Sequence, residues 1–238
     1  MKYRPDIDGL RAVAIILVVI FHAFPNIMPG GFIGVDIFFV ISGYLISGVI
    51  ISSLGAENFS FVQFYSRRVL RIFPALALLL AVCLGGGFFF LNPDEYMALG
   101  KHIFGGATFL SNIFLYGETG YFDTAAHAKP LLNLWSLGIE EQFYIVFPLL
   151  VWFCWRYFPR LATIFAILCL LSFLDNLLLY KNHPNADFYL PLSRFWELLA
   201  GAALQALTSA ALREKLKVRG RFKRSADWLA EKLARGGA

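Results

Sequence analysis

Apolar residues along this 238-residue chain fall into long runs separated by short breaks rich in glycine, proline and charge. Seven runs predict helices: roughly Leu10–Asn26, Phe32–Leu54, Ala75–Leu91, His102–Tyr116, Leu134–Trp155, Leu161–Tyr180 and Phe195–Leu212. Most match the roughly 20 apolar residues that carry a helix across a bilayer. Between the second and third runs, Phe59–Phe73 carries Arg67, Arg68 and Arg71 and predicts an interfacial helix. Glycines 85–87, inside the third run, predict tight packing or a kink.

Charge decides how these runs are threaded. The positive-inside rule places the Arg67–Arg71 cluster in the cytoplasm, with the N-terminus on the same side. Seven full crossings would then put Arg156, Arg160 and the basic C-terminal segment outside. The fourth run is the shortest and contains Gly105, Gly106, Ser111 and Asn112. If it is re-entrant or buried without crossing, those cations return to the cytoplasm. The chain therefore reads as all-α, a polytopic transmembrane helix bundle of about six crossings plus one re-entrant or non-crossing element.

Composition narrows the class further. The chain is 58% hydrophobic, which leaves no room for a separate soluble domain. Residues 1–212 read as one membrane domain and 213–238 as a basic cytoplasmic tail, with nine Lys/Arg against three Asp/Glu. Such a tail beside a membrane helix faces anionic lipids rather than nucleic acid. Cys83, Cys154 and Cys169 sit inside apolar runs without metal-ligand spacing and read as small packed residues. No nucleotide-binding glycine loop, zinc-ligand spacing or serine-hydrolase elbow is present, so no metal is expected.

Four features carry candidate chemistry. Arg11 and His22 are eleven residues apart, so they share one face of a helix, about 16 Å apart along its axis. An ionisable residue inside a membrane helix is a functional-site candidate, here a general base or a nucleophile. On the orientation above, His22 lies slightly beyond the midplane and is reached from the cytoplasm along the face that begins at Arg11. Arg68 and Arg71 project to one side of a helix and suit a phosphorylated ligand. Glu140 and Glu141 stand at the outer start of a span. Being adjacent, they cannot share a face, so one points into the bundle and the other to the headgroups. Asp36 is a further acid just inside a span. Plainer readings stand beside these: a hydrogen-bonded histidine, a lipid-anchoring arginine cluster, an interfacial charge pair.

Four blocks together resemble a known family. Arg4–His22, with its Arg-Pro-Asp-Ile-Asp-Gly-Leu-Arg opening, Gly31–Leu45, Arg67–Pro74 and Trp135–Pro148 are similar in order and spacing to the acyltransferase-3 family. These are bacterial membrane O-acyltransferases of lipopolysaccharide, exopolysaccharides and other cell-surface glycans. The resemblance implies transfer of an acyl group, usually acetyl from acetyl-CoA, to a hydroxyl of a glycan or lipid-linked saccharide outside the bacterial inner membrane. It makes Arg11 and His22 the catalytic pair, with the histidine at the reacting centre. It assigns Arg68 and Arg71, with neighbouring Arg67, to acyl-CoA binding, and it places Glu140 and Glu141 in a signature block. The family's membrane domain usually has more spans, so the resemblance covers about its first two thirds, Met1–Leu207. The remaining walls are then expected from a homo-oligomer or partner subunit, or the chain is a truncated product. Two other readings stay open: an inactive or accessory membrane subunit, and a small transporter using His22 as a proton relay.

Overall fold

The computed structural model describes residues 4–118, 129–158 and 160–209. Among them every regular element is a helix. In chain order these are α1 (Pro5–Ala23), α2 (Ile33–Gly55), α3 (Phe61–Phe90), α4 (Pro93–Ala107) and α5 (Ser111–Glu118), followed by α6 (Leu134–Tyr157), α7 (Leu161–Asn182), the short α8 (Pro184–Tyr189) and α9 (191–209). Four of the described helices, α2, α3, α6 and α7, are long and apolar enough to cross a membrane. The chain is thus a multi-pass helical membrane bundle. The basic tail 213–238 lies outside the described residues.

Local signals set the helix ends. Pro5 opens α1, with Asp6 and Asp8 in its first turn facing the positive end of the helix dipole. Ser60 caps α3 by accepting the Gln63 N–H, and Asn92 with Glu95 forms a reciprocal capping box at the start of α4. Helix α1 ends at Ala23 because the next residue, Phe24, precedes Pro25 and leaves the helical region.

Helices α2 and α6 form the centre. About half of the apolar stretch of α6 is buried, against 6% for α7, whose outer leucines are exposed. Lipid removes the hydrophobic drive between helices, so close packing at small residues carries association instead. Gly31, just before α2, and Gly34 of α2 lie against Leu17 and Ala14 of α1. On the opposite side α2 meets α9 at a reciprocal contact. A β-carbon at Gly43 would overlap the Leu198 carbonyl oxygen, and one at Gly201 the Val40 carbonyl oxygen. Phe147 of α6, itself stacked on Phe143 at 4.5 Å, meets Phe165 of α7 at 5.3 Å and joins the two helices.

Two expectations change, while the fourth run, expected as a re-entrant or non-crossing element, takes the form of a broken pair of short helices. The interfacial helix Phe59–Phe73 and the span Ala75–Leu91 are one continuous 30-residue helix, α3, which runs straight through Pro74. A missing N–H there is tolerated because membrane helices resatisfy the freed backbone groups locally. Glycines 85 and 86 have open space around them, and only Gly87 of the three packs, against Leu99 and Tyr96. The fourth run is broken: Phe109 takes a left-handed backbone (φ 58°) between α4 and α5. Their 15 and 8 residues reach about 22 and 12 Å, short of a hydrocarbon core of about 30 Å.

The α4–α5 hairpin is closed by charge. His102 Nε2 donates to the Glu118 carboxylate at 2.9 Å, and Lys129 Nζ lies 3.1 Å from the same oxygen. Burial pushes the Glu118 carboxyl up, but the hydrogen bonds from His102 and Lys129 outweigh it and hold it below its ordinary value. A depressed carboxylate stabilises the fold above its unfolded pKa of about 4.3 and loses that contribution as pH falls through the lower folded value. Wild-type protein is therefore expected to melt above Glu118→Gln at neutral pH. The gap between the two melting curves should close below about pH 4.

Candidate active site

The central polar feature is a cavity of about 360 Å³ between α2, α3 and α6, reached by Arg11 from α1. Among the described residues, four guanidiniums (Arg11, Arg67, Arg68, Arg71) and two carboxylates (Glu140, Glu141) line it. Ser60 and Gln63 stand at the end nearest the α2–α3 turn. Helix α3 turns Arg68 and Arg71 inward at i and i+3, as their spacing predicts. Net positive charge in a cavity bounded by apolar helices calls for an anion.

Arg68 is the best-held of the four. Its guanidinium lies over the Tyr144 ring at 3.7 Å and forms an ion pair with Glu141 at 3.7 Å. The Tyr144 hydroxyl in turn donates to Glu140. Both glutamates thus face the cavity, which corrects the expectation that one turns to the headgroups. Adjacent helical positions differ by about 100°, enough to line two walls of one concavity rather than opposite faces of the bundle. Arg68 Nε and Glu141 Oε1 are buried without a hydrogen-bond partner among the described residues. A ligand entering here would satisfy a donor and an acceptor at once.

The arginine–histidine pair is divided. Arg11 lines the cavity, whereas His22 stands exposed in the last turn of α1 and is not among the lining residues. This corrects its placement deep within the first span: α1 begins five residues before Leu10 and ends one residue after the histidine. His22 Nδ1 is 2.8 Å from the Val18 carbonyl. A carbonyl only accepts, so Nδ1 is the donor in this contact and Nε2 is the nitrogen left for another partner. Phe21 packs edge-on against the imidazole at 5.3 Å.

A second polar cluster was only half visible in the sequence. Asp36 at the start of α2 accepts from Arg194 at 2.6 Å, and Arg194 also pairs with Glu197 at 3.2 Å. Glu197 is fully buried. The Arg194 guanidinium lies within 6 Å of the Phe39, Trp135 and Phe188 ring centres. This cluster locks α9 to α2 beside the glycine contact. The available signal was the i, i+3 pair Arg194–Glu197 straddling the start of the last apolar run.

A multi-pass membrane protein whose central cavity is lined by guanidiniums and paired carboxylates is the class these observations define. The chain belongs to the acyltransferase-3 family, whose acyltransferase domain matches residues 4–212. It is similar to the peptidoglycan O-acetyltransferase OatA of Listeria monocytogenes, 39% identical over 210 residues, covering 85% of this chain and 34% of that protein. The O-acetyltransferase OatA of Staphylococcus aureus is 38% identical over 171 residues, covering 70% of this chain and 28% of that protein. An uncharacterized protein of Haemophilus influenzae is 38% identical over 179 residues, covering 71% of this chain and 72% of that protein. The chain thus spans about a third of the length of the named acetyltransferases. No solved structure matches it.

Proposed function

We propose that this chain carries the membrane site of an O-acyltransferase that moves an acyl group, acetyl first, from acyl-CoA to a hydroxyl of a cell-envelope glycan. The observation that carries the reading is the guanidinium cavity with its unsatisfied Arg68 Nε and Glu141 Oε1. The CoA phosphates meet Arg67, Arg68 and Arg71 there, each able to bind phosphate oxygens bidentately. We favour peptidoglycan over lipopolysaccharide and exopolysaccharide as the acceptor, a reading supported by the relatives named for peptidoglycan. With the N-terminus and basic tail cytoplasmic, the turn between α2 and α3 opens the cavity to the cytoplasmic donor.

The separation of Arg11 from His22, about 16 Å along α1, suits a donor whose phosphates and thioester lie at opposite ends of an extended arm. His22 Nε2 then takes the proton of the glycan hydroxyl, whose oxygen attacks the thioester carbonyl. The C–S bond breaks and CoA leaves as the thiol, taking up the proton. Alternatively Nε2 attacks first and carries the acyl group to the hydroxyl. Glu140 and Glu141 hold Tyr144 and Arg68 in place for the donor.

His22→Ala is expected to lower acyl transfer in membranes by two or more orders of magnitude, roughly the size of a general-base contribution. Protein levels should stay unchanged, since the side chain is exposed. Intact transfer by this variant would remove His22 from the mechanism. An accessory subunit, the second reading, predicts that neither protein transfers an acyl group without its partner.

A further inference from the structure

Beside the arginine cavity lies a second concavity of about 560 Å³ that the reaction above leaves without a use. Phe59 is a wall of both. Apart from Leu54 of α2, the rest of the lining is aromatic and charged: Phe61 at the start of α3, Trp152, Trp155 and Arg156 at the end of α6, and Glu57 just after α2. The rings meet edge to face, Phe59 with Phe61 at 4.9 Å and Phe61 with Trp152 at 6.3 Å. Trp152 remains 42% exposed while lining the concavity, so its indole has surface to offer a flat ligand.

Glu57 is a second pointer to the same place. It follows the end of α2 with a left-handed backbone, φ 55°. Its N–H donates to the Leu54 carbonyl and the Asn58 N–H to the Ser53 carbonyl, the pattern of a helix stop at which glycine is the usual residue. A side chain there is strained, and Glu57 lines the concavity together with Arg156. Interfacial tryptophans anchor many membrane proteins. That role alone explains neither the wall shared with an anion-seeking cavity nor the strained acid.

We propose that this concavity is the base subsite of the donor, an inference that rests on the acyl-CoA reading. The adenine of coenzyme A stacks on Trp152, its exocyclic amine donates to Glu57, and Arg156 meets the ribose phosphate. The diphosphate passes Phe59 to reach Arg67, Arg68 and Arg71. Base stacking on an aromatic side chain supplies affinity that phosphate contacts alone do not.

The test measures binding of coenzyme A and of 4′-phosphopantetheine, which lacks the nucleotide, to the full chain in lipid nanodiscs. Trp152→Leu is expected to weaken coenzyme A about tenfold and to leave phosphopantetheine unchanged. Glu57→Gly relieves the backbone and should fold at least as well, yet also weaken coenzyme A alone. The subsite is overturned, and the donor reading stands, if both variants bind coenzyme A like wild type while Arg68→Lys weakens it. It is equally overturned if Trp152→Leu weakens both ligands alike. Wild-type protein that binds no coenzyme A overturns the donor reading and the subsite with it.

Discussion

Replacing Arg68 with alanine is expected to remove donor turnover and to destabilise the protein at the same time. The guanidinium is held on two sides, by the Tyr144 ring at 3.7 Å and by Glu141 at 3.7 Å. Removing one partner of a buried ion pair strands the other and costs about 3–5 kcal/mol. Loss of activity in this variant alone therefore says little about the donor. Arg68→Lys separates the two effects. It keeps a charge near Glu141 but loses the planar stack and the bidentate fork. We expect most of the thermal stability to return while the KM for acetyl-CoA rises at least tenfold, the loss of about 1.4 kcal/mol of phosphate recognition. Melting curves in detergent, measured beside initial rates, check both halves. A lysine variant with wild-type KM would move the donor away from Arg68.

Gly43→Ala is expected to cost more stability than any change at an exposed position. At the α2–α9 crossing, β-carbons at Gly43 or Gly201 would overlap backbone carbonyls of the facing helix. Backbone cannot step aside as a flexible side chain can, so the helices must separate. Overpacking of this kind costs about 1–3 kcal/mol or more, and here it also pulls Asp36 from Arg194. Gly85→Ala is the control. Nothing lies within 4 Å of a β-carbon there, and alanine improves helix propensity by about 1 kcal/mol. Gly43→Ala and Gly201→Ala are expected to melt well below wild type, and Gly85→Ala is not. Equal melting of all three would mean that α2 and α9 do not cross at these glycines.

Much of this architecture is legible in the sequence, because lipid demands uninterrupted apolar helices and α2, α6 and α7 supply them. Breaks were harder to read. Pro74 marks a boundary in water but not in a membrane helix, so α3 is longer than its pattern implies. The fourth run looks continuous until Phe109 turns left-handed, a bend fixed by contacts such as Gln142 to the Phe109 carbonyl rather than by local propensity. Within the site, Arg68 and Arg71 followed from spacing on one helix. The convergence of Glu140 and Glu141 did not, since a helical wheel shows directions and not the width of the cavity between neighbours. Arg194 finds Asp36 across 158 residues of chain. Apolar periodicity says that such a charge must be paired but not with what. The offset of His22 from the cavity is likewise a matter of how α1 and α2 are staggered, fixed by Gly31 and Gly34 against Leu17 and Ala14.

The most direct measurement is acetyl transfer by the full chain in proteoliposomes, given acetyl-CoA and peptidoglycan fragments. CoA thiol release and glycan-bound acetyl are followed together. Thiol release matched by acetyl on the glycan is expected, with both lost in His22→Ala and both requiring more acetyl-CoA in Arg68→Lys. Folded protein that releases no thiol and acetylates no glycan would contradict the proposed transfer.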